Sequence, residues 1–142
     1  MRGKGNVLIV GGEINSSANY SNFMNSFKEN VNKFKAINVS AVEKIEPSFI
    51  QKSSPNLLYV CISEEDTINT VQIFNEFAPD KKFSVIGIGS NETCKLYLEK
   101  GYVYELISLD GEKIGENAMK ELFAFRSTGY ANNYISADLK IT

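Results

Sequence analysis

Residues 57–66 read LLYVCISEED, and the change of character inside that stretch decides the fold. Leu57 to Ile62 is a continuous apolar run, the pattern of a strand buried on both faces of a parallel sheet. Ser63 to Asp66 then offers a hydroxyl cap with three acids behind it, a helix start whose carboxylates suit the positive end of the macrodipole. Ile68, Val71, Phe74 and Phe77 supply the core stripe of that helix, and Pro79-Asp80 ends it. A buried strand followed by an amphipathic helix is the repeating unit of an α/β sheet.

The unit recurs on both sides. Upstream, Asn6 to Gly12 (NVLIVGG) is a second buried strand, and Tyr20, Phe23, Phe27, Val31 and Phe34 recur at helical spacing after it. Ala36 to Val42 gives another strand. The segment Glu46 to Asn56, bracketed by Pro47 and Pro55, holds at most a brief helix around Phe49-Ile50. Downstream, Phe83 to Ile88 is a strand and Gly89-Ser90-Asn91 opens a short helix bearing Leu96 and Leu98. Tyr102 to Ser108 is the next strand, and Leu109-Asp110-Gly111 is a turn or hinge. A last helix begins near Glu112 with Ile114, Ala118, Leu122 and Phe125 as one apolar stripe. Met119 and Phe123 lie beside it, giving more apolar surface than one sheet face needs. Tyr134 to Thr142 alternates like an edge strand. The expected fold is α/β, a three-layer sandwich with a mostly parallel sheet, in one unit spanning residues 1–142.

Composition narrows the function. A chain of 142 residues that is 43% hydrophobic can bury a core of its own. With 15 basic against 17 acidic residues and a net charge of −2, it carries no basic footprint for nucleic acid, so no direct nucleic-acid contact is expected. Histidine is absent, which removes the commonest general base and the usual triads; no catalytic residue, metal site or cofactor is assigned. Cys61 and Cys94 have no zinc-like or redox spacing and read as free, half-buried thiols. Gly11-Gly12 lacks the spacing of a phosphate cradle and reads as a strand-terminal turn.

In a parallel sheet, ligands sit outside the carboxyl ends of the strands. That places Gly12-Glu13-Ile14-Asn15, Ser63-Glu64-Glu65, Gly89-Ser90-Asn91 and Leu109-Asp110 on one rim. Glu64, Glu65 and Asp66 read first as helix-start acids, with Glu64 kept as a ligand acceptor.

The order of these segments resembles the C-terminal half of type I periplasmic binding proteins, of the ribose-binding class, and the related sugar-binding sensor domains of lac-repressor-type regulators. NVLIVGG with FMNSFKENV looks like the family's strand and R-x-x-G-F helix, and LLYVCISEEDTINTV looks like its strand ending in N-D-x-x-A-x-G. FSVIGIGS is similar to the V-V-G-F-D strand, GYVYELISLDGEKIGENAMKEL to the stretch that holds the hinge and last helix, and ISADLKIT to the closing strand. The resemblance implies a Rossmann-like half of a two-lobe domain with a hinge near residues 109–111. It also implies that the last helix is lent to a missing N-terminal lobe.

By resemblance the function is that of a non-enzymatic ligand-binding lobe of a transcriptional regulator, a sensor or a solute-binding protein, taking a small polar ligand such as a sugar. The compartment would follow: cytoplasmic for a regulator, extracytoplasmic for the others. The ligand-binding residues are expected among Glu13, Asn15, Tyr20, Phe23, Glu64, Ser90, Asn91 and Asp110. Three family ligand positions have changed character: the arginine falls on Phe23, one aspartate on Gly89 and the glutamine on Leu109, while the helix-start aspartate falls on Glu64. An alternative therefore stands beside the first reading, a degenerate lobe that serves as a dimerisation or protein-docking domain. In either case the unpartnered last helix predicts a homodimer formed through it.

Overall fold

The hydrophobic runs do pair as parallel strands. The structure, a computed structural model, describes residues 4–12, 18–33, 36–52, 57–130 and 139–142. Its elements follow in the order β1 (Lys4–Val10), α1 (Ala18–Val31), β2 (Ala36–Val42), α2 (Pro47–Lys52), β3 (Leu57–Cys61), α3 (Glu64–Phe77), β4 (Ser84–Ile88), α4 (Glu92–Glu99), β5 (Glu105–Leu109), α5 (Gly111–Thr128) and β6 (Leu139–Ile141). The sheet order is β2-β1-β3-β4-β5-β6; β1 to β5 run parallel and β6 closes the edge antiparallel to β5. The α/β sandwich expected from the sequence is the fold observed.

Each strand divides its side chains between two layers, as a pleat requires. On one face Leu8, Val10, Tyr59, Cys61 and Val85 meet Ile50 of α2, Val71 and Phe74 of α3, and Tyr97 and Leu98 of α4. Phe74 anchors this layer, stacked on Phe83 at 4.1 Å and edge-on to Tyr59 at 4.9 Å between ring centroids. On the other face Val7, Ile9, Leu58 and Val60 receive Met24, Phe23 and Phe27 of α1.

Two boundaries around β5 differ from the sequence expectation. Strand β5 begins at Glu105 and not at Tyr102, because the amides of Tyr102 and Val103 donate to the Tyr97 carbonyl (2.9 and 3.2 Å) at the end of α4. Gly101, at φ 75°, supplies the left-handed turn this closure needs. Gly111 is the first residue of α5 and no part of a separate turn. The strand at the end is described only for Leu139–Ile141; residues 131–138, like Glu13, Asn15 and Phe34, lie outside the described residues.

Helix α5 stands apart from the other helices. Its stripe of Ile114, Ala118, Leu122 and Phe125 was expected to carry more apolar surface than one sheet face needs, the helix being lent to a missing lobe; α5 contains no buried residue, and Ile114, Leu122 and Phe125 are exposed together with Met119 and Phe123. At 100° per residue the apolar side chains spread over one half of the helix, whereas the half-buried residues, Asn117 and Glu121, fall on its polar side. The helix thus turns its polar flank to the molecule and its apolar flank outward. Among the described residues, no helix is long and apolar enough to cross a membrane. Both cysteines are free and are buried outright, more deeply than expected; burial pushes the Cys61 thiol up to about 12, and burial beside the Glu64 carboxylate raises Cys94.

Candidate ligand-binding rim

The carboxyl ends of β1, β3, β4 and β5 form a continuous rim, and the N-terminus of α3 organises it. Ser63 caps α3 by accepting from the Asp66 amide (3.1 Å), and its hydroxyl donates to Asp66 Oδ2 (2.6 Å). The other oxygen of Asp66 accepts from the Gly12 amide at 3.1 Å, tying the end of β1 to the start of α3. Glu64 reaches the opposite way. Its Oε1 accepts from the amides of Ser90 (2.6 Å) and Asn91 (2.8 Å), tying the β4–α4 loop to the same helix. These two amide bonds are the main reason the Glu64 carboxyl sits below the usual carboxylate range.

A buried threonine fixes the helix behind this rim. Thr67 Oγ1 lies 2.8 Å from the Ser63 carbonyl and 3.0 Å from the Ile88 carbonyl, and it accepts from the Ile88 amide at 3.2 Å. The approach is close enough that a Cβ on Gly87 would lie 2.5 Å from Thr67 Cγ2, so β4 needs a glycine there.

Gly89 has a similar but more telling environment. A Cβ on it would lie 2.7 Å from Glu64 Cγ and 2.8 Å from Cys94 Sγ. The space a side chain at 89 would enter is already filled by Glu64.

The expected site residues fall as follows. Glu64, Ser90, Asn91 and Asp110 all lie at the carboxyl end of the sheet, on successive β–α junctions. Asn91 caps α4, its Oδ1 accepting from the Cys94 amide at 2.8 Å, and Asp110 caps α5, its Oδ1 accepting from the Lys113 amide at 3.0 Å. Tyr20 is in the first turn of α1, with its side chain outside the described set, as are Glu13 and Asn15 altogether. Phe23 is half-buried: its ring stacks on Phe27 at 5.7 Å and packs on the sheet, within the layer under α1.

Asp66 and Thr67 are the rim-building residues that the sequence reading did not single out for this role. The spacing S-x-x-D from Ser63 to Asp66 was the available signal for the cap; nothing local marks Thr67 as a bridge to β4.

No protein-family model matches this chain, and no curated protein matches it in sequence. Its fold is nevertheless that of a periplasmic-binding-protein half-domain. It is similar to GanP, a glucose-galactose binding protein from Geobacillus stearothermophilus, with a TM-score of 0.75 at 22% identity over 99% of this chain and 54% of that one. It is similar to an ABC transporter solute-binding protein from Burkholderia graminis, solved in complex with D-arabinose, with a TM-score of 0.73 at 18% identity over 99% and 53% of the two chains. It is also similar to the XylFII molecule, with a TM-score of 0.74 at 14% identity over 98% and 53%. The chain therefore spans about half the length of these solved structures.

Proposed function

We propose that this chain is the sugar-binding lobe of a solute-binding protein, a binding module and not an enzyme. The observation that carries the reading is the convergence of Glu64, Ser90, Asn91 and Asp110 on the carboxyl rim of a fold whose neighbours are proteins named as binding glucose, galactose or D-arabinose. A carboxylate has about four lone-pair directions. Glu64 therefore keeps acceptor capacity for a ligand hydroxyl after its loop amides are satisfied. Asp110 Oδ2 has no partner among the described residues and is a second acceptor. The exposed Ser90 hydroxyl can donate or accept. Such a set suits a polyol better than an anion, since its charged members are carboxylates.

A sugar held at this rim would be closed over by an opposing lobe, the fold then acting as a hinged clamp about residues 109–111. An extracytoplasmic location goes with this reading, and a sensor or lac-repressor-type regulator would use the same lobe to relay closure. Titration of the labelled chain with D-glucose, D-galactose and D-arabinose tests it by NMR. The expected result is saturable shifts at the amides of Gly12, Ser90, Asn91 and Asp110. If every sugar leaves these amides unmoved while the chain is folded, the reading fails.

The outward apolar flank of α5 favours a second reading, a dimerisation or docking domain in which the rim has lost its ligand. It predicts self-association without any sugar response.

A further inference from the structure

A second unpartnered apolar surface lies on the sheet itself. Register places Ile88 beside Ile107, Ile107 beside Ile141, and Leu109 beside Leu139, all on the face that α1 covers further along the sheet. Among the described residues, helix α1 packs on β2, β1 and β3. Over β4, β5 and β6 this face is open: Ile88 and Ile107 are half-buried, and Leu109, Leu139 and Ile141 are 62%, 64% and 68% exposed. A sheet of this kind normally buries both faces.

Among the described residues, every copy of the chain thus carries a helix flank without a sheet and a half-sheet without a helix. The two match in size, since three strands about 4.8 Å apart span the roughly 10 Å width of one helix. They also match in charge. Arg126 lies within the apolar half of α5 near its end, and Glu105 lies on the open face at the far end of β5. Neither has an ion-pair partner among the described residues.

We propose that the occupant is a second copy of the chain, with α5 of each copy laid across β4, β5 and β6 of the other about a twofold axis. The topology sets the geometry. Helix α5 leaves from the rim after Leu109, the chain re-enters the sheet at Leu139, opposite Leu109, and no residue of α5 is buried on the sheet. In the assembly the helix runs on past the rim, and reciprocal exchange turns the two rims toward each other. From Gly111 to Arg126 the helix extends about 22 Å, and from the rim to Glu105 is about 13 Å. A helix crossing from one rim to the other copy thus brings Arg126 to the level of its Glu105, with about 9 Å left between rims. This deepens the proposed function and rests on it in one respect: the facing rim supplies the opposing wall that a bound sugar would need.

Sedimentation velocity of the intact chain over a range of concentrations tests the assembly. Twice the chain mass is expected, with Phe123→Lys shifting the protein to monomer. Arg126→Glu and Glu105→Arg should each weaken the dimer about tenfold, and the double variant should recover it. A chain that stays monomeric at high concentration overturns the proposal. So does a dimer indifferent to Glu105→Arg, because α5 would then pair with something other than this sheet face. No sugar enters the measurement, so a monomer whose rim amides still respond to sugar would sink the dimer alone.

Discussion

The β3–β4 region and the β5–β6 end belong to one sheet but are finished differently. At β3–β4, side chains on one face lie under α2, α3 and α4, and the helix packed there is pinned by Thr67 and by two carboxylates that reach into neighbouring loops. At β5–β6 the strands are equally well paired, yet α5 has no buried residue and the edge strand shows apolar side chains to solvent. Backbone pairing is thus common to both regions. What separates them is the helix: α3 is buried on the sheet and bonded into it, whereas α5 contributes no buried residue.

The sharpest break of that contrast is in the stability each region contributes. Phe74→Ala removes a ring held between Tyr59 and Phe83 and is expected to cost about 3–5 kcal/mol in urea unfolding. In dilute protein, Phe123→Ala on α5 should stay within about 0.5 kcal/mol. Equal losses at the two positions would mean that α5 already has a partner within the chain.

Thr67→Val comes next. The Ile88 amide loses its acceptor inside the α3–β4 junction, at a cost of about 1–3 kcal/mol by the same measurement. Amide exchange should accelerate at Ile88 while β5–β6 is unaffected.

The smallest effect is electrostatic. The Glu64 carboxyl is held below its ordinary range by the loop amides, so the folded state favours its ionised form. Its contribution is present at neutral pH, above the unfolded-state value, and is lost as pH falls through the lower folded value. Glu64 is partly exposed, so the effect on global stability is slight. It is best read from the Ser90 and Asn91 amide resonances, which should move on acidification in the unaltered chain and stay still in Glu64→Gln.

The readable parts of the chain were those whose cause is local. Runs such as Leu57 to Ile62 and Val7 to Val10 betray buried strands because a central parallel strand leaves no polar alternation. Ser63 announces a helix because the cap and first turn are adjacent in sequence. The common rim of Glu64, Ser90, Asn91 and Asp110 followed from topology alone. The parts that stayed hidden depend on tertiary approach. Residues 102 and 103 look like strand until the Tyr97 carbonyl is seen to take their amides. Thr67 is off the apolar stripe, and only the nearness of Gly87 makes it a bridge. The outward flank of α5 could be read as surplus, but its orientation depends on what surrounds it.

Gly89 and Glu64 form a steric pair with a consequence for any attempt to alter recognition. Restoring an acid by Gly89→Asp alone would drive a side chain into Glu64 and displace it from the loop amides. Shortening position 64 alone would leave those amides without their acceptor. The two changes are each harmful, and together they still leave a side chain at 89 facing Cys94 Sγ at 2.8 Å on a backbone at φ 157°, so a double-mutant cycle should show non-additivity without full recovery. Such reciprocal dependence confines the neighbouring sequences this chain can reach by single steps.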